Sequence, residues 1–543
     1  MKLTGAAILV KELIRQDTSV IFGYPGGYIL DIYDELHKNA DKIKHILPAH
    51  EQGGAHAADA YARVSGKTGV VLATGGPGAT NLVTGIANAY LDSVPVVFIT
   101  GNVSVPMLGQ DSFQDIDIID CTLPIVKHSY IVKNINQLQR VINEAFELAS
   151  TGRKGPVHID IPKNIQLETY NYDPDFSLSK TPPTPPDLTG LDDAISLISK
   201  SKRPYIYCGG GVSNSVTGSE IIKLSEMTGA PIGLSLMGIG CVPSSYEMNL
   251  GMSGMYGTAA SVTAMLESDL VIALGVRFSD RATGSAGRIS KDTKVLHIDI
   301  DPAEIGKNIR PDVSLCGNLR LILPVLLDRL NKENLSINEK WQDRVMSLKK
   351  DDIKSSDSNY SPANIIAAVN AHYDASTIVT TDVGQHQMWV AKYYKFEKPR
   401  TLITSGGLGA MGFGLGAAIG ASIARGNKRT VLFTGDGSFG MNLSELATAV
   451  THNLPITIIL LNNGSLGMVR QLQTQLFDKQ YSNTTLDRKT DFPALSKAFG
   501  ASGVTVSTID ELKAALTQAP ETGPYLIECK IDIDEEVSCS LVV

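Results

Sequence analysis

Short apolar runs rich in valine, isoleucine and threonine recur along this chain between stretches of helical spacing: GVVLAT (69–74), PVVFIT (95–100), TIVTTD (377–382), TVLFTG (430–435) and ITIILLN (456–462). Runs without polar alternation are strands buried on both faces, and strands separated by helices pair in parallel and are covered by those helices. The rhythm confines the chain to an α/β architecture. Two polar stretches interrupt it, NYDPDFSLSKTPPTPPDLTG (171–190) and NKENLSINEKWQDRVMSLKKDDIKSSDSN (331–359). Composition shifts of this kind mark linkers. They divide the 543 residues into three α/β units of about 170 residues each, an ordinary domain size. The opening MKLTGAAILVKELIRQ has helical apolar spacing and no cleavable apolar core, so it predicts an amphipathic helix and not a signal peptide.

Charge and cysteine usage remove several function classes. A formal net charge of −8 argues against a nucleic-acid partner, and no apolar run is long enough to span a bilayer. A cytoplasmic enzyme is the expectation. Cys121, Cys208, Cys241, Cys316, Cys529 and Cys539 are scattered and form no CxxC pair. Reduced thiols are therefore expected, with neither a disulfide framework nor a zinc site.

The chemistry is sought at strand ends. Gly435-Asp436-Gly437-Ser438 closes one strand and Asn462-Asn463 closes the next. A hard cation takes oxygen ligands, and Mg2+ prefers a carboxylate or two beside phosphate oxygens; Asp436 offers the carboxylate and Asn463 an amide oxygen. The flanking glycines let backbone N–H groups approach an anion. Either motif alone is an ordinary turn, but the pair, one helix and one strand apart, points to Mg2+-diphosphate. Gly406-Gly407-Leu408-Gly409-Ala410-Met411-Gly412 also satisfies GxGxxG and admits a nicotinamide-binding rival, which lacks a suitable acidic partner on the following strand. Glu51, entering the helical run GGAHAADAYAR, reads from residues alone as a favourable charge on a helix dipole.

Taken together these motifs resemble the thiamine-diphosphate enzymes and, within them, the large catalytic subunits of acetohydroxyacid (acetolactate) synthases, over about residues 1–535. The resemblance implies three doubly wound parallel-sheet domains: a PYR-type unit at 1–168, a central FAD-type unit at 190–330 and a PP-type unit at 360–530. It implies thiamine diphosphate, Mg2+ and FAD as cofactors. Mg2+ would be held by Asp436, Asn463 and the main-chain carbonyl of Ser465. Glu51 would hydrogen-bond N1′ of the aminopyrimidine, a task that calls for a dry pocket which raises a carboxyl pKa. Gly409 and Met411 would hold the aminopyrimidine, Met411 wedging between the rings. Gln385 and His386 would contact the diphosphate, and Gly435, Gly437, Ser438 and Met468 would complete the cofactor site. Gly27, Phe113, Gln114 and Lys163 would line the substrate side, Gly210, Gly211 and Arg277 the FAD. Arg281 would grip the carboxylate of the second 2-oxo acid, a contact worth on the order of 4 kcal/mol at about 4 Å in partly screened surroundings.

The implied reaction decarboxylates pyruvate and ligates the two-carbon unit to a second 2-oxo acid in branched-chain amino acid biosynthesis. Because Glu51 and Asp436 lie in different units, the resemblance implies a homodimer or tetramer with sites between subunits, and it admits a small regulatory subunit. Four features depart from the family. Leu472 stands where a tryptophan usually favours 2-oxobutyrate, Tyr28 replaces an alanine, Ser279 an aspartate and Tyr256 a histidine. The chain also ends at CSLVV without the usual covering segment. The alternative these departures sustain is a related carboligase acting on an aldehyde or sugar.

Overall fold

The computed structural model describes residues 1–178, 184–283, 292–351 and 359–539. Three six-stranded sheets dominate them, and every pairing inside those sheets is parallel. The expected runs are strands at Gly69–Ala73, Val96–Asn102, Ile378–Thr381, Thr430–Gly435 and Ile456–Asn462. The first two are buried along their full length, as strands covered on both faces must be.

The N-terminal sheet runs, edge to edge, Lys44–Ile46, Val20–Tyr24, Gly69–Ala73, Val96–Asn102, Val157–Pro162 and His128–Ile131. The C-terminal sheet runs Leu402–Ile403, Ile378–Thr381, Thr430–Gly435, Ile456–Asn462, Tyr525–Lys530 and Ser502–Val506. Numbered by chain order within its own sheet, each reads 2-1-3-4-6-5. The middle sheet, Asn249–Met252, Ile232–Leu234, Pro204–Cys208, Leu270–Leu274, Lys294–Asp299 and Val313–Cys316, reads 3-2-1-4-5-6 instead. That is the order of dinucleotide-binding sheets, whose crevice lies where the strand order reverses.

The first and third units meet through equivalent helices, Glu51–Ser65 and Phe413–Ala424. Glycine permits the contact. A Cβ at Gly420 would stand 1.9 Å from the Ala57 carbonyl oxygen, and one at Gly416 2.6 Å from that of Gly53. Alanines 55, 57, 58 and 62 and residues Leu415, Ala418 and Ile419 form one core there.

Two expectations are corrected. The opening segment first makes a strand, Lys2–Thr4, antiparallel to Thr169–Asn171, and the helix begins at Gly5. The second polar stretch is not all linker: it contains the helix Glu339–Asp351. Trp341, Val345 and Leu348 form a stripe at helical spacing on that helix and pack on the middle unit. The Trp341 indole N–H donates to the Pro204 carbonyl at 3.0 Å. Among the described residues no cysteine is disulfide-bonded, and no helix is long and apolar enough to cross a membrane.

Candidate active site

The strand Thr430–Gly435 delivers Asp436 as the first residue of helix Asp436–Asn442, buried. Burial pushes the Asp436 carboxyl up to about 6, while the N–H groups of Gly437 and Asn463 aimed at it pull the other way. The next strand, Ile456–Asn462, ends beside it, and the Asn463 side-chain oxygen accepts from the Ser465 N–H at 3.1 Å. Gln385 braces this pair: its oxygen accepts from the Asn463 amide at 3.3 Å, and its own amide donates to Gln471 at 3.0 Å and the Glu535 carbonyl at 2.7 Å. All of its polar groups are thus committed to protein, so Gln385 positions Asn463. The Ser438 hydroxyl is likewise taken, donating to the Val383 carbonyl at 2.8 Å.

His386 differs. Burial lowers its imidazole to about 3, so the ring is neutral, and Nε2 has no hydrogen-bond partner. These groups line a cavity of about 60 Å3 together with Gly435, Gly437, Ser465, Gly467, Met411 and Met468. A Cβ at Gly467 would fall 2.0 Å from the Gln385 oxygen. The donor set offers one carboxylate, one amide oxygen and a carbonyl, with an orphaned buried nitrogen nearby. It fits a hard cation and an oxyanion ligand.

At Met411, Met468, Val383 and Val469 this pocket adjoins a second cavity of about 910 Å3. Its near end holds Arg281, Tyr256, Met255 and Leu472; its far side carries Gly209, Gly210, Gly211, Arg277 and Asp299. The glycine turn sits at the switch point of the middle sheet, where Gly209 and Gly211 press on Gly275 so closely that a Cβ at Gly209 would lie 2.0 Å from the Gly275 oxygen. Arg277 reaches across to the N-terminal unit and donates to the Leu91 carbonyl at 2.5 Å. Arg281 faces the cavity but remains 66% exposed, beside Asp280 at 3.6 Å. Solvent screening at such exposure takes its pairing energy well below the 4 kcal/mol scale anticipated above. Residues 532–539 pack against the helix Gly467–Leu476: Arg470 pairs with Asp534 at 2.8 Å and the Gln471 amide donates to the Val537 carbonyl at 2.7 Å.

The N-terminal residues form a separate cluster. Glu51 opens its helix, with its oxygen accepting from the Asn81 amide at 2.9 Å. It is only half-buried and lines neither cavity. The dry setting expected for it is therefore not supplied by this chain's own fold. Around it, Lys163 donates to the Gly27 carbonyl at 2.9 Å, Tyr28 donates its hydroxyl to the Phe113 carbonyl at 2.5 Å, and Gln114 lies over Gly76. Phe113 is 80% exposed.

Sequence reasoning missed the residues that hold the parts in place. Both oxygens of buried Asp92 accept the Gly406 and Gly407 N–H groups, at 3.0 and 2.7 Å. Arg63 bridges Asp92 at 2.9 Å and Asp59 at 2.6 Å. Buried Glu445 accepts from the His50 and Ala49 N–H groups at 3.0 and 3.2 Å, tying the start of the Glu51 helix to the third unit. No periodicity signals such long-range pairs.

Comparison with known proteins bears on this arrangement. Family models match residues 3–121 (thiamine pyrophosphate enzyme, N-terminal TPP binding domain), 191–326 (central domain) and 382–529 (C-terminal TPP binding domain). The chain is 43% identical over 540 residues to the acetolactate synthase isozyme 2 large subunit of Escherichia coli, covering 98% of this chain and 97% of that protein. It is 41% identical over 551 residues to the acetolactate synthase large subunit of Corynebacterium glutamicum, covering 99% and 88%. It is 43% identical over 544 residues to acetolactate synthase 3, chloroplastic, of Brassica napus, covering 96% and 83%.

Proposed function

We propose, from the premise that this chain belongs to the thiamine pyrophosphate enzymes, that it is an acetolactate synthase catalytic subunit serving branched-chain amino acid biosynthesis. It decarboxylates pyruvate and joins the two-carbon unit to a second 2-oxo acid. The observation that carries the reading is the junction at Met411 and Met468. There a polar pocket built on Asp436 and Asn463 opens into a cavity that presents a cation, Arg281, to an incoming carboxylate.

Thiamine diphosphate, when bound, supplies an electron sink for loss of CO2. The chain supplies the rest. Asp436, Asn463 and the Ser465 carbonyl would hold Mg2+, and the backbone N–H groups around Gly435 and Gly437, beside the His386 ring, would receive the diphosphate. Gly409 and Met411 shape the wall of the pocket. Glu51 holds and passes a proton from the oxygen not engaged by Asn81. The switch-point turn at Gly209–Gly211 and the elongated cavity suit FAD in a structural role. Arg281 orients the acceptor, and Gly27, Phe113, Gln114 and Lys163 close the substrate side.

The assembly is part of the proposal. Glu51 lines neither cavity of its own chain, so it serves the Asp436 pocket of a second copy, making the dimer the catalytic unit. The names of the bacterial relatives, large subunits, support a small regulatory partner. The test is acetolactate formation from pyruvate with thiamine diphosphate, Mg2+ and FAD, in wild type and Glu51→Gln. Loss of acetolactate in the variant, restored by mixing with an Asp436→Ala variant through heterodimers, is the expected result. Pyruvate consumption without acetolactate would overturn the assigned acceptor and favour an aldehyde.

A further inference from the structure

At the edge of the large cavity three cations meet, one from each unit: Lys154, Arg320 and Arg400. Arg320 donates from Nε to the Ser215 carbonyl at 2.5 Å, and Arg400 donates from Nη2 to the neighbouring Asn214 carbonyl at 3.3 Å. The two guanidinium groups are therefore adjacent. Each spends one N–H on those carbonyls and keeps others of its five donors for a ligand. Arg400 Nη1 also borders Gly66, where a Cβ would lie 3.2 Å away.

What sets the cluster apart is the missing counter-charge. Arg153, next to Lys154, is neutralised by Asp301 at 3.1 Å and Glu304 at 2.6 Å. Among the described residues no carboxylate stands within ion-pair distance of Lys154, Arg320 or Arg400. Burial lowers the Lys154 ammonium from its ordinary value, and Arg400 and Arg320 lower it further. Burial, then Arg320, does the same to Arg400. Arg400 also holds a left-handed backbone conformation, with φ of 59°. That strain in a non-glycine residue is found where surrounding structure enforces it, often at ligand sites.

The cluster is not the cradle of the glycine turn. Helix Gly210–Ser215 separates them, with the turn at its start and the two arginines on the carbonyls at its end. Six residues of helix span roughly 9 Å. A diphosphate seated at the turn leaves the three cations unsatisfied.

We propose that Lys154, Arg320 and Arg400 form a separate phosphate-binding subsite, accepting the phosphomonoester or free phosphate dianion of a small solute and joining all three units of the chain. Three cations around a dianion match in charge, and forked arginine donors match phosphate geometry.

The test uses full-length protein loaded with thiamine diphosphate, Mg2+ and FAD, titrated calorimetrically with inorganic phosphate and with AMP at low ionic strength, flavin content being read separately by absorbance. Saturable binding is expected, weakening with salt, and at least tenfold weaker in Arg320→Gln/Arg400→Gln with flavin content unchanged. Competition between the two probes assigns the site to a nucleotide phosphate; binding of phosphate alone assigns it to the free anion. Arg320→Gln by itself, altering an exposed side chain, keeps the test valid if the double variant does not fold, and a several-fold loss is expected from it. Binding of neither probe, binding unaffected by the substitutions, or parallel loss of flavin would each overturn the proposal.

Discussion

Asp92→Ala is predicted to loosen the glycine loop at 406–412 without loosening the sheets beneath it. The Asp92 carboxylate is fully buried and makes three contacts, to Arg63 at 2.9 Å and to the Gly406 and Gly407 N–H groups at 3.0 and 2.7 Å. Removing one partner of a buried ion pair ordinarily costs about 3–5 kcal/mol. Arg63 keeps Asp59 at 2.6 Å, so the loss falls mainly on the two amides, each worth about 1–3 kcal/mol when buried without an acceptor. The working figure is about 3 kcal/mol, or roughly a hundredfold in the local opening equilibrium. Amide hydrogen exchange reads this directly, because exchange tracks local opening. A peptide covering 402–412 exchanges about a hundredfold faster in the variant, a peptide covering the strand Tyr525–Lys530 does not, and Asp92→Asn, retaining one acceptor, falls between. Unchanged exchange in the loop peptide, or equal acceleration across the protein, would refute the clamp. A weaker affinity for thiamine diphosphate should accompany the local effect, since Gly409 and Met411 ride on the same loop.

Leu472→Trp narrows the cavity beside Arg281 and Met468; in competition between pyruvate and 2-oxobutyrate as acceptors, selectivity shifts towards 2-oxobutyrate by about tenfold or more, the scale of about 1–3 kcal/mol for a hydrophobic wall, and no shift would show that this position does not face the acceptor. Asp160 is pushed up to about 6 by burial, against the hydrogen bonds from Thr100 and Asn102. Its folded-state value exceeds the ordinary 3.8, so the native protein binds more protons between 3.8 and about 6, and stability falls as pH rises through that window. Asp160→Asn can donate to the Thr100 hydroxyl, which in turn serves His158 Nε2 at 2.8 Å; its unfolding free energy, from denaturant titration, should exceed that of wild type above pH 6 by up to about 3 kcal/mol, and lose that lead below the window. Trp341→Ala removes a buried indole and the hydrogen bond to Pro204; a loss of about 3–5 kcal/mol is expected in the unfolding of the middle unit, and an unchanged melt would return Glu339–Asp351 to the status of a linker.

How far the sequence could be read depended on whether the signal was local. Gly69–Ala73 and Ile456–Asn462 declared themselves because strands buried on both faces carry uninterrupted apolar residues. Asp436 and Asn463 were visible because each directly follows such a strand. Glu51 was visible only by resemblance; its local signal is that of any acidic residue at a helix start. The helix Glu339–Asp351 was obscured by lysines and aspartates around its buried stripe, Trp341, Val345 and Leu348. Asp92 and Glu445 could not be found at all, since their partners stand 314 and 395 residues away. Such contacts depend on how the first and third units dock, and the small residues that permit that docking, Gly416 and Gly420, look in the sequence like any glycines in a helix.

The repeated strand order explains why one chain divides its reactive groups between two places. In the first and third sheets alike, a helix follows the second strand, and these two helices, Glu51–Ser65 and Phe413–Ala424, form the contact between the units. Asp436 follows the third strand of the third sheet; its counterpart after the third strand of the first sheet is the stretch Thr74–Gly76, which carries no carboxylate. The first unit instead places its acid at the start of the docking helix, where Glu445 of the third unit fixes the backbone of Ala49 and His50. In the function proposed, each unit would thus supply a different part of one reaction: the first a proton-carrying carboxyl, the third a cation and anion seat. Docked through glycine-lined helices, they leave Glu51 outside the cavity that Asp436 lines. In the proposed dimer, a ligand that needs both groups would be gripped by two chains, and Glu445 would be the internal strut that fixes the backbone just before the acid each chain lends to its neighbour.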